Sequence, residues 1–234
     1  MLREETVVSS MLDIIKEFQS DPIFQNFYLA GGTALALQLG HRTSTDIDLF
    51  NYKEDNFSKI NEYLKRNNDK YAIDTTQDDF SRIYRNNVKI EFVRDIYGKL
   101  IRPPLNENGI VYLDKTEIAP MKLFANMGRK RARDIIDIAF LLQEMSLENM
   151  FDLYKEKYGP FNVNILKREL INKSKILNED KNLSGIKIIR NDIKIEDIPI
   201  LIKKAIDEYN NKLGIGNIKE STKYYDLDNE TKYK

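Results

Sequence analysis

Apolar positions recur along this chain with two different periods. Over residues 4–18 they fall at Val7, Val8, Met11, Ile14, Ile15 and Phe18, one face of an amphipathic helix, which Asp21-Pro22 ends. Residues 27–30 read as a short apolar strand broken by Gly31 and Gly32. Residues 33–39 predict a short helix, and residues 47–50 begin the next strand. Residues 57–64 return to helical spacing, and residues 71–75 form another short strand. Residues 81–84 and 88–93 alternate with period two around Arg85-Asn86-Asn87, where the asparagine pair suits a tight hairpin turn. Residues 111–113 read as a last strand. From Thr116 the period lengthens: residues 118–127, 133–145, 146–158, 165–177 and 199–213 all predict helices, with a break at Gly159-Pro160. Only residues 186–189 keep a strand-like pairing. A mixed first half and a helical second half predict an α+β chain. Its organisation reads as a sheet-containing domain over 1–115, a helical domain over 116–213 and a polar tail over 214–234.

Composition narrows the partners. The 37 basic and 37 acidic residues cancel, so any contact with nucleic acid is expected to be local, not a broad basic face. The chain has no cysteine, which excludes disulfides, thiolate metal sites and thiol nucleophiles and fits a reducing, cytoplasmic setting. No run approaches the ~20 apolar residues that span a bilayer, and Met1-Leu-Arg-Glu-Glu-Thr does not read as a signal peptide, so no membrane partner is expected.

The informative segment is Tyr28-Leu-Ala-Gly-Gly-Thr-Ala-Leu-Ala-Leu-Gln-Leu-Gly-His-Arg-Thr-Ser-Thr-Asp-Ile-Asp-Leu-Phe50. Side chains alternate along a strand, so Asp46 and Asp48 share a face while Ile47 and Leu49 point to the core. Two neighbouring carboxylates raise each other's pKa unless a cation sits between them. Hard divalent ions take oxygen ligands, commonly one or two carboxylates plus substrate phosphates. Gly31 and Gly32 let backbone N–H groups approach an anion at a helix start, where negative charge is favoured. Thr33 reads as a phosphate donor, as a helix N-cap, or as both. Neither the dinucleotide fingerprint nor the P-loop pattern is present. A phosphate cradle beside metal-binding carboxylates is equipment for nucleotidyl transfer.

The pattern G-G-T, then twelve residues, then D-I-D resembles the nucleotidyltransferase superfamily that includes DNA polymerase β. The wording around it, with a second motif running from Met121-Lys122 to Arg133-Asp134-Ile-Ile-Asp137, is similar to the AbiEii-type nucleotidyltransferase toxins. The resemblance spans about residues 27–142. It implies a polymerase β-like fold with a helical lobe, and Mg2+ (or Mn2+) held by Asp46, Asp48 and a third acid. In Val88-Lys-Ile-Glu-Phe-Val93 that acid is Glu91, where the family often has Asp; otherwise Glu91 pairs with Lys89 or an arginine on an edge strand. The resemblance also makes Lys122 a triphosphate ligand and brings Asp137 to the nucleotide. Asp134 is either its partner or a helix-start acid; otherwise Arg133, Asp134 and Asp137 together form a helix-capping and salt-bridge cluster that locks the two lobes. Ser44, two residues before Asp46, is assigned to the triphosphate. The basic cluster Arg129-Lys-Arg-Ala-Arg133 suits an anionic acceptor. His41, the only histidine, reads as incidental.

The implied activity is transfer of NMP from an NTP to an acceptor hydroxyl, with RNA or tRNA as acceptor and a separately encoded antitoxin as partner. Two alternatives stand beside it: transfer to a small molecule or protein, and a nucleotide-binding module without turnover.

Overall fold

The computed structural model describes residues 1–53, 57–128, 131–175, 177 and 187–214. The basic residues Arg129 and Lys130, Ile186 of the strand-like pair, and the tail beyond Gly214 lie outside them. The first helix is α1, Ser9–Ser20, preceded by a 3-10 turn at Glu4–Thr6 and so shorter than its apolar spacing suggests. Strand β1, Tyr28–Leu29, leads directly into α2, Gly31–Leu39, which ends on left-handed Gly40. Strand β2, Asp46–Asn51, and helix α3, Phe57–Arg66, follow. Three strands come next: β3, Ala72–Thr76; β4, Phe80–Arg85; and β5, Val88–Arg94. Asn86 and Asn87 both take positive φ, as the tight turn between β4 and β5 requires.

A second hairpin, β6 (Leu105–Glu107) and β7 (Ile110–Tyr112), turns on Asn108-Gly109, both at positive φ. Strand β6 is absent from the apolar pattern because Leu105 and Asn106 are exposed, leaving no buried alternation to read. The seven strands form one sheet in the order β3-β4-β5-β2-β1-β7-β6. Its centre is parallel: Asp46 lies opposite Lys89, Asp48 opposite Glu91, and Phe50 opposite Val93.

Helices α4 (Lys115–Gly128), α5 (Ala132–Leu141), α6 (Leu147–Tyr158), α7 (Val163–Lys175) and α8 (Ile198–Lys212) follow among the described residues. Ser146 caps α6 by accepting from Asn149 N–H at 3.2 Å. Among the described residues after Thr116, β pairing is confined to an isolated bridge between Arg42 and Ile188. One buried apolar cluster runs from Leu2 through the sheet and on to Ile206. None of the described helices is long and apolar enough to cross a membrane.

Candidate active site

The site grows from one junction. Ala30 N–H donates to the Asp48 carbonyl at 2.9 Å, so the chain leaves β1 beside β2 and turns at once into α2. Gly31 makes that turn at φ +65°, a conformation that favours glycine. A Cβ on Gly31 would run into the Asp48 carboxylate, and one on Gly32 would run into the Arg42 guanidinium. Helix α2 has no side-chain cap, which leaves its first N–H groups to whatever binds there. Thr33 is inside the helix and does not cap it: its buried hydroxyl bonds the Ser44 hydroxyl at 2.8 Å and donates to the Asp46 carbonyl. Thr33 and Ser44 thus tie the start of β2 to α2.

Asp46, Asp48 and Glu91 line one polar cleft with Gly32, Arg42, Ser44, Lys89, Lys122, Arg131, Arg133 and Asp134. Asp48 and Glu91 sit side by side across the parallel ladder. Burial and then the charge of Glu91 push the Asp48 carboxyl up to about 6. Burial also works against Glu91, but Lys89 and Arg82 outweigh it and hold Glu91 below the usual range. Arg82 Nε donates to Glu91 at 2.8 Å, and Lys89 Nζ reaches Glu91 at 3.3 Å and Asp46 at 3.2 Å. Arg133 Nη1 crosses from α5 to Asp46 at 3.3 Å. With these cations reaching over it the cleft is narrow, about 40 Å³.

Among the described residues, no three acidic or imidazole groups converge as a ready ligand set, and Asp46 pairs with Lys89 and Arg133. The donor chemistry nevertheless fits a hard divalent ion. Two adjacent carboxylates, one already raised by burial and by its neighbour, are the number such an ion takes when phosphates complete its shell.

Behind the cleft lies a buried charge network that sequence reasoning recognised only in part. The Asp137 carboxylate is fully buried. It accepts from Arg42 Nε at 2.6 Å and Nη2 at 2.9 Å, from His41 Nε2 at 2.8 Å, and pairs with Lys122 Nζ at 2.7 Å. Lys122 also reaches Asp134 at 3.0 Å. Burial opposes ionisation of Asp137, yet Arg42 and Lys122, with the His41 hydrogen bond, hold its carboxyl well below the usual range. Asp137, expected at the nucleotide, therefore stands one layer behind Lys122 and Arg42, which do line the cleft. His41 is not incidental: burial lowers its pKa, and its ring anchors Asp137. Arg42 was missed, although its place between the glycine helix and the aspartates was a signal.

In-register acids on parallel strands lie against a glycine-started helix and a lysine from a second helix, within a polymerase β-like nucleotidyltransferase fold. The chain belongs to the AbiEii nucleotidyl transferase toxin family of type IV toxin–antitoxin systems, whose family profile matches residues 13–213. An uncharacterized protein of Aquifex aeolicus is 30% identical over 164 residues, spanning 64% of this chain and 74% of that protein. A solved structure from H. pylori, described as a nucleotidyltransferase, superposes with a TM-score of 0.52 at 20% identity, covering 87% of this chain and 93% of that one. At that identity the likeness concerns the fold.

Proposed function

We propose that the cleft transfers a nucleoside monophosphate from an NTP to an acceptor hydroxyl with Mg2+ or Mn2+, releasing pyrophosphate. The observation that carries this reading is the in-register Asp48–Glu91 pair beside the uncapped start of α2. Asp48, Glu91 and, once Lys89 and Arg133 let go of it, Asp46 would hold the divalent ion. A bound ion of this kind would neutralise phosphate charge and favour deprotonation of the acceptor hydroxyl. The N–H groups of Gly31 and Gly32, with Lys122, Arg42 and the Ser44 hydroxyl, face the triphosphate. Asp137 acts through Lys122 and Arg42, fixing where their charges stand. Residues 1–115 and 116–213 are read as two lobes that contribute the two walls of the site.

RNA, tRNA in particular, is the proposed acceptor, and a separately encoded antitoxin the proposed protein partner. The basic residues at the cleft rim, Arg131 and Arg133, support a polyanion. A zero net charge supports a second reading, transfer to a small molecule or protein. Incubation of the pure protein with each labelled NTP, Mg2+ and total cell RNA separates them. Label on RNA supports the first reading; label only on small molecules or protein replaces it with the second.

A further inference from the structure

The cleft-facing side of the sheet changes character from one cross-strand row to the next. One row is Asp46 and Lys89; the next is Asp48, Glu91 and Arg82; the next is Phe50, Val93 and Phe80. Successive same-face rows lie roughly 7 Å apart. The apolar row floors a cavity of about 350 Å³ that adjoins the polar cleft and shares Asp48, Glu91 and Lys122 with it. That volume lies in the range of small-ligand sites. Its far wall is a ring stack, Phe124 on Tyr158, with centroids 4.6 Å apart and planes 20° from parallel. Tyr97 stands 5.7 Å from Phe124 at the mouth. Tyr97 and Ile96 are 70% and 53% exposed, side by side on that lip.

The lip is built, not loose. Asp95 accepts from Tyr97 N–H at 3.2 Å and Gly98 N–H at 3.0 Å. Farther along, the fully buried Glu117 accepts from Ile101 N–H at 2.5 Å and from Arg102 N–H, and its other oxygen pairs with buried Lys157 at 2.7 Å. An ion pair with no exposure to solvent is thus spent on fixing the segment that presents Tyr97.

We propose that this ring-walled cavity binds the nucleobase of the nucleoside triphosphate, with Tyr97 stacking on its face; the proposal rests on the nucleotidyl-transfer reading above. A nucleotide is a polyanion tethered to a planar ring, and the two adjoining cavities match its two ends in order. Asp79, Arg94 and Asp95 also line the cavity and can meet the edge of a base, while the aromatic lip and far wall favour the larger stacking area. Purines bind more tightly than pyrimidines.

Calorimetry with ATP, UTP and inorganic tripolyphosphate tests this. The expected result is that Tyr97→Ala weakens ATP at least about fivefold, the low end of the loss of a base–aromatic stack, weakens UTP less, and leaves tripolyphosphate unchanged. Tyr97 is exposed, so the variant should fold. The chain has no tryptophan, so Tyr97→Trp places its sole indole on the lip. ATP should quench that fluorescence, while tripolyphosphate binds without quenching. Equal ATP affinity in wild type and Tyr97→Ala, with no quenching, overturns the proposal and leaves the triphosphate reading intact. Unchanged ATP affinity with a raised KM for the acceptor also overturns it, assigning the cavity to the acceptor. Failure of both ATP and tripolyphosphate to bind wild type would bring down the nucleotidyl-transfer reading and this inference with it.

Discussion

Asp137 carries more of this site than its distance from solvent suggests. Its carboxylate balances two buried cations, Arg42 and Lys122. Removing one partner of a buried ion pair typically costs about 3–5 kcal/mol, because the survivor is left uncompensated. Asp137→Asn should therefore lower unfolding stability by about 3 kcal/mol in urea at neutral pH. The pH dependence follows from the same network. Asp137 is held well below the ordinary 3.8, so its contribution is full above that value and is lost as pH falls through its folded value. His41 is lowered from 6.5, so the unfolded chain binds its proton first and stability declines as pH drops below 6.5. His41→Gln keeps a donor near Asp137 but cannot titrate. Its stability should fall less than that of wild type between about pH 7 and about pH 5; parallel curves would remove His41 as the titrating group. At the cleft, Asp48→Asn should abolish transfer of label from NTP while leaving the melting temperature of the protein within a few degrees of wild type. A carboxyl whose pKa is raised by burial and by a neighbouring acid does not stabilise the fold in its charged form, so the substitution should be tolerated; retained activity would place the chemistry elsewhere. The structure brings Asp46, Asp48, Gly32 and Lys122 to one cleft: strand alternation puts the two aspartates on one face, while Lys122 is picked out only by the family resemblance. Arg42 and His41 were not legible in the sequence, since a loop has no period and only the folded chain shows that Asp137 lies against them.

At the scale of elements, the junction of β1 with α2 leaves no room for a side chain at either of its glycines. Gly32 faces the Arg42 guanidinium with no room for a Cβ, and Gly31 combines positive φ with the Asp48 carboxylate as its neighbour. Gly31→Ala should cost both stability and nucleotide binding, through backbone strain and displacement of Asp48. Gly32→Val should cost binding, by filling the phosphate side of the cleft, and stability too, because its Cβ meets the Arg42 Nη2 that donates to buried Asp137. Calorimetric titration with ATP alongside thermal melts follows both losses; a Gly32→Val protein that binds ATP normally would move the phosphates away from α2. Such turns were easy to read where chemistry is explicit. Asn86-Asn87 announced the β4–β5 hairpin, and the switch of period announced the helices. Asn108-Gly109 is an equally strong turn signal, but β6 was overlooked because an exposed edge strand has no apolar alternation to flank it. Helix α4 begins earlier than its apolar spacing, at Lys115, and runs through Pro120. Its first turn is closed by polar groups: Asp114 accepts from Thr116 N–H and its hydroxyl, which hydrophobic periodicity does not register.

For the whole molecule, a net charge of zero sets how an acceptor can be recruited. A polyanion gains little from the long-range field, so its attraction must come from the basic residues gathered where α4 gives way to α5. Arg131 is exposed there and lines the cleft, and Arg133 bridges to Asp46. Arg129 and Lys130 precede them in sequence. Reversing Arg129, Lys130 and Arg131 to glutamate, with Arg133 left in place because it bridges to Asp46, should weaken RNA labelling strongly and NTP binding little. Every basic group withdrawn from an RNA phosphate should flatten the dependence of log affinity on log salt by about one unit, so the triple reversal would change the slope by about three. The difference between mutant and wild type should accordingly shrink as salt rises. A triple variant that labels RNA as well as wild type at low salt would remove this cluster from the acceptor path and favour a small, weakly charged acceptor. Growth provides the independent check. Expression without an antitoxin should arrest cells, Asp48→Asn should relieve the arrest completely, and the charge-reversal triple should relieve it only if the poisoned molecule is the polyanion that this rim attracts.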